Sequence, residues 1–201
     1  MTKVRFKGEQ PYLPFPHIHH AAKTLRKLAG TTEMGRYHLE SAALVMTAFA
    51  IEAFCQTLGP EVFGEKWTNP PDGGRAMERC SVKAKLKAIG ETVNVPVSFG
   101  LRPWSLIAEL MQARDDLAHG KPLPPELTKI DVTLDVPDGI DPYDLVRAHM
   151  RNLMFPMHRI DRLETAADEI DTGLRRLWVA AGNPDYTFAQ GSMSSWSATA
   201  T

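Results

Sequence analysis

The sequence predicts an all-α protein, a helical bundle with one short extended segment, and three patterns carry that prediction. Apolar residues recur at spacings of three and four, at Leu106, Ile107, Leu110, Ala113 and Leu117 and again at Ile160, Leu163, Ala167, Ile170, Leu174 and Leu177. Glycine and proline punctuate these stripes where helices should stop, at Gly59-Pro60, at Gly120 to Pro122 and at Gly182 to Pro184. Alternation of period two is confined to Ile130, Val132, Leu134 and Val136, interleaved with Asp131, Thr133 and Asp135, which reads as a lone strand or small hairpin between two groups of helices.

Taken in order, residues 1–16 carry prolines at 11, 14 and 16 and form an extended arm that Tyr12 and Phe15 can pin down. A helical domain follows over 17–182, and a serine- and threonine-rich flexible tail over 183–201. Within the domain, a short helix spans His17 to Leu28. A second, capped by Thr31 or Thr32, runs to Leu58 and is apolar over much of its circumference, as a central buried helix is. Residues 61–74 form a loop or a single helical turn. Arg75 to Ile89 is helical, with Met77, Cys80, Ala84 and Ala88 on its inner stripe, and Gly90 closes it. Residues 91–103 connect to a helix beginning at Trp104. After the extended segment, Asp141, Pro142 and Asp144 open another helix in the order of cap, first-turn proline and first-turn acid. Pro156 breaks it, and a last helix runs from Met157 to Ala181.

Composition excludes several classes. Hydrophobic residues make up 43% of the chain and charged residues 23%, the proportions of an ordinary globular protein. The formal net charge is -1, so the molecule as a whole is no generic polyanion binder. Charge is nonetheless unevenly spread. Lys3, Arg5, Lys7, Lys23, Arg26 and Lys27 make the start basic, Arg75, Arg79, Lys83, Lys85 and Lys87 follow, and five aspartates between Asp131 and Asp144 reverse the sign. A basic face and an acidic back suit contact with RNA. Cys55 and Cys80 sit in helical patterns without metal-ligand spacing and read as small core residues. Neither a signal peptide nor a run of eighteen apolar residues is evident, which points to a cytoplasmic protein with no membrane partner. His17, His19 and His20 invite a metal, but no carboxylate or thiol stands beside them in sequence, and the expectation is no metal and no cofactor.

The richest stretch is Trp104 to Gly120, WSLIAELMQARDDLAHG. Its helix should end at Gly120, placing His119 in the final turn, where the carbonyl end of the helix and Asp115, four residues earlier, both attract positive charge. An imidazole so placed suits proton transfer, and Arg114 can grip a phosphate with two prongs. Arg114 and His119 are five residues apart, about 140° around an ideal helix, so they cannot converge side by side unless the last turn unwinds or a second copy joins them. A second copy would supply the missing half.

Arg114, Asp115 and His119, within the context Leu117-Ala118-His119-Gly120, resemble the arginine-polar-x3-histidine signature of HEPN domains, and Arg36 to Gly59 is similar to the long early helix of that family. The resemblance spans Arg36 to Lys121. It implies a HEPN-like helical bundle, usually dimeric, and a metal-independent RNA endonuclease of the kind found in toxin and antitoxin pairs and antiviral defence. Arg114, Asp115 and His119 would be its catalytic residues. Asp115 departs from the commoner asparagine. Candidate RNA contacts are Arg75, Arg79, Lys83, Lys87 and Lys121. Glu52, a carboxylate on the buried second helix, either forms a structural ion pair or orients the motif. RNA, a second copy and an antitoxin or companion protein are the expected partners. The alternative is a non-catalytic HEPN-like module that binds RNA, a nucleotide or a protein. Arg151, Asn152 and His158 fit the spacing loosely, but Pro156 interrupts them and no glycine stop follows.

Overall fold

The computed structural model describes residues 4–9, 14–32, 34–71, 73–120, 131–154, 156–190 and 195–200. Among the described residues there are six α-helices: α1 Pro14–Thr31, α2 Arg36–Phe63, α3 Val82–Thr92, α4 Trp104–His119, α5 Pro142–Met154 and α6 Ile160–Ala180. The all-α prediction therefore holds for the body of the chain. Its described terminal segments add one small feature, an antiparallel pair of strands, β1 Val4–Glu9 and β2 Ser195–Ala200, in which Val4 pairs with Ala200 and Glu9 with Ser195. The chain divides into two compact units, each with its own buried residues.

The first unit comprises Met1–Ala21, Phe49–Pro96 and Leu174–Thr201. Its centre is aromatic. Phe15, 1% exposed, meets Phe54 edge-on at 5.3 Å and Phe188 at 5.5 Å, and Trp178 lies 6.4 Å from Phe188, tilted geometries that rings favour over face-to-face stacking. Phe15 belongs to α1, which begins at Pro14 rather than at His17, so it anchors the start of that helix and not an extended arm; Tyr12 lies outside the described residues. His19 edges onto Phe15 and Phe188 at 5.5 and 6.0 Å, a packing role for one of the three clustered histidines.

Helix α2 does not stop at Gly59-Pro60 but continues to Phe63. Gly59 serves a different purpose: a Cβ there would overlap the indole of Trp67, which a 3-10 turn over Gly64–Trp67 folds against the helix. The Trp67 Nε1 donates to Gln56 Oε1 at 3.2 Å, and Gln56 Nε2 donates to the carbonyl of Glu78 at 3.1 Å. Helix α3 starts at Val82, where the Ser81 hydroxyl accepts from the Ala84 N–H, and it passes Gly90. Its buried side is Val82, Lys85, Leu86 and Ile89, while Ala84 is exposed. That register replaces the one expected from Met77, Cys80, Ala84 and Ala88, because the longer aliphatic side chains gain more from burial than the alanines.

The second unit comprises Ala22–Ala48 and Val97–Gly173. Helices α4 and α6 run antiparallel within it: Arg102 grips Glu169 with two hydrogen bonds of 2.6 and 2.8 Å, and Arg162 meets Glu109 at 2.9 Å. A Cβ on Gly173 would sit 2.6 Å from Pro103, so the absence of a side chain lets the two helices approach. Ile107, Leu110, Leu163 and Ile170 are at most 1% exposed. Arg26, expected on a basic outer face, is instead 2% exposed, with its guanidinium 3.2 Å from both Glu164 and the Thr47 hydroxyl. A buried cation needs such partners.

Helix α5 opens as expected, with Asp141 accepting from the Tyr143 N–H at 2.9 Å, and it ends before Pro156. The alternating segment is corrected: residues 131–137 join no ladder, and Val132 and Val136 are 37% and 46% exposed. Alternation marks a strand only where an edge is available to pair with. The stretch Arg36–Trp67 is long and apolar enough to cross a membrane by length and composition, and 61% of its most apolar window is buried inside the protein.

Candidate functional site

Helix α4 ends where its sequence says it should. Gly120 takes the left-handed conformation at φ 53°, ψ 32° and donates to the Asp116 carbonyl at 3.1 Å, closing the last turn. Ahead of that stop, the helix changes character. Trp104, Leu106, Ile107, Leu110 and Met111 are buried, Ala113, Arg114, Asp115 and Leu117 are half-buried, and His119 is exposed.

The motif residues Arg114 and Asp115 come together. Their charged atoms lie 3.0 Å apart, the arginine side chain 23% exposed and the aspartate 49%, and the guanidinium also approaches the Met111 sulfur at 3.8 Å. Arg114 therefore follows the core side of α4 out to its edge, continuing the line of Ile107, Leu110 and Met111. His119 stands on a different side, in line with Ala108, Gln112 and Asp116, which precede it at helical spacings. The separation anticipated from the helical turn is thus present: cation pair on one side, imidazole on another.

The remaining candidates fall elsewhere. Arg75, Arg79, Lys83 and Lys87 are all exposed in the first unit. Part of that charge is answered locally, since Arg75 donates to the Arg79 carbonyl, Arg79 lies 3.4 Å from Glu78 and Lys87 lies 3.9 Å from Glu91. Lys121 lies outside the described residues. Glu52 is half-buried on the α2 portion of the first unit, where its charge and that of Lys85 act on the Cys55 thiol. Burial dominates there and pushes that thiol up to about 12, with Lys85 opposing and Glu52 reinforcing the shift, so Cys55 is an inert core residue at neutral pH. His158, the histidine of the discounted second spacing, is 1% exposed and stacks on Tyr37 at 5.9 Å with the rings 8° from parallel. It is a core histidine. Among the described residues, no three His, Cys, Asp or Glu side chains converge as metal ligands would.

One feature of the site escaped the sequence. In the second unit, Ala108, Glu109, Gln112, Ala113 and Asp116 of α4 line a groove of about 410 Å³ with Pro156 and Met157. Gln112 Nε2 donates to Asp116 Oδ1 at 2.8 Å along its edge. The signal was partly available, since Ala108, Gln112 and Asp116 form a row four residues apart, but the opposite wall comes from residues some forty positions later.

No family model matches the chain, and no curated protein or solved structure matches it either.

Proposed function

We propose that this chain is a metal-independent RNA endonuclease of HEPN type, working in the cytoplasm as a homodimer and serving as a toxin or antiviral-defence effector held in check by a companion protein. The observation that carries the reading is the end of α4: a left-handed glycine stop leaves His119 exposed in the last turn, one turn beyond the Arg114–Asp115 pair. In this reading, His119 of one copy moves a proton to or from the 2'-hydroxyl or the departing 5'-oxygen. Arg114 of the other copy stabilises the crowded phosphate, and Asp115 orients that guanidinium. Attack by the 2'-hydroxyl breaks the P–O5' bond and leaves a 2',3'-cyclic phosphate and a 5'-hydroxyl, chemistry open to RNA and closed to DNA.

Incubation of the purified protein with RNA in EDTA tests the proposal. Cleavage is expected, reduced about a hundredfold or more in His119→Ala and in Arg114→Ala. Cleavage that persists in both variants, or that depends on a divalent ion, sinks the mechanism. Half-burial of Arg114 against Met111 favours the rival, a non-catalytic HEPN-like module in which this pair only braces a helix end. That rival predicts RNA or nucleotide binding without any cut.

A further inference from the structure

The groove beside α4 is a cleft of ligand size, its lining ends at Asp116, three residues before the histidine assigned to proton transfer, and its chemistry is selective. At about 410 Å³ it falls within the range of small-ligand clefts and is short for a docked helix, which needs several turns of apolar trough. Its apolar lining is Ala108, Ala113, Pro156 and Met157, and its polar lining is Glu109, Gln112 and Asp116. Asp116 precedes His119 by three residues, about 4.5 Å of axial rise, on the same side of the helix.

Carboxylates at the rim repel phosphate, so the groove is unsuited to the RNA backbone. A cationic peptide is disfavoured too, because the Glu109 carboxylate is already engaged by Arg162 at 2.9 Å. What remains is a neutral planar group with hydrogen-bond donors, flat enough for an apolar slot. Gln112 holds Asp116 through one carboxylate oxygen at 2.8 Å, which fixes the acid and keeps the amide carbonyl of Gln112 as a further acceptor. An edge made of acceptors selects a base that presents adjacent donors. Guanine does so with its ring N–H and exocyclic amine together, whereas adenine and cytosine offer an amine beside a ring acceptor, and uracil one N–H between two carbonyls.

We infer that this groove is the base-recognition subsite of the ribonuclease, taking guanine against Asp116 and Gln112 so that the attached ribose lies beside His119. The choice of ligand rests on the ribonuclease reading, whereas the groove itself does not. The test is calorimetric titration of the full-length protein with the 3'-monophosphates of guanosine, adenosine, cytidine and uridine. Guanosine 3'-monophosphate is expected to bind about tenfold or more tighter than the others, the discrimination of a good paired hydrogen bond. That preference should disappear in Asp116→Asn and weaken in Gln112→Ala, both exposed positions. Ala113→Leu, which adds bulk to the apolar lining, should abolish binding while leaving the melting curve in place. Equal binding of the four nucleotides, an unchanged preference in Asp116→Asn, or displacement of bound nucleotide by a lysine-rich amphipathic peptide overturns the inference. Assaying the wild type for RNA cleavage in EDTA beside the titration separates the two claims. Guanine preference without RNA cleavage by the wild type keeps the subsite and sinks the nuclease, and cleavage with no base preference does the reverse.

Discussion

The two halves of α4 obey different rules. From Trp104 to Met111 the helix is a packing element, with Ile107 and Leu110 fully excluded from water and Gly173 stripped of a side chain so that α6 can approach. From Gln112 to His119 the same helix presents an arginine, two aspartates in succession and an exposed histidine. Hydrophobic burial fixes where the first half sits. In the proposed reading, a buried first half is what would hold the second half in one place.

This contrast can be broken by experiment. Leu110→Ala should cost about 2–5 kcal/mol in chemical denaturation, the penalty for a fully buried leucine whose cavity cannot collapse. Gly120→Ala, placing a side chain on a residue at φ 53°, should cost about 1 kcal/mol and loosen the last turn, read as faster amide exchange around His119. Arg162→Ala removes an exposed ion pair with Glu109 and should change stability by less than about 1 kcal/mol. His119→Ala should leave stability within about 0.5 kcal/mol of the wild type while abolishing cleavage. If His119→Ala unfolded the protein as Leu110→Ala does, the division of labour along α4 would be wrong.

Much of the fold was legible because helical burial is periodic. The stripe of α6 reads directly from Ile160 to Leu177, and every one of its six predicted positions is buried. The stop of α4 reads from Gly120, whose left-handed conformation is the reason glycine stands there. Where reading failed, the local signal was ambiguous and a distant residue decided. Gly59-Pro60 has the form of a helix stop, yet Gly59 makes room for Trp67 and the packing of Leu58 carries α2 onward despite the missing N–H of Pro60. The alternating valines and leucine near residue 132 announced a strand, but alternation says nothing about whether an edge is present to receive it. In the candidate site, the offset of Arg114 from His119 follows from helix geometry alone. The groove does not, because two of its seven lining residues, Pro156 and Met157, arrive from a turn some forty positions later.

That offset makes complementation between copies the decisive measurement. Arg114→Ala and His119→Ala are each expected to be inactive on RNA in EDTA. An equal mixture of the two, allowed to exchange subunits, should recover cleavage, since a mixed dimer holds one intact pairing of guanidinium and imidazole across its interface. A mixture that exchanges subunits yet stays as inactive as its components would contradict a site built from two copies.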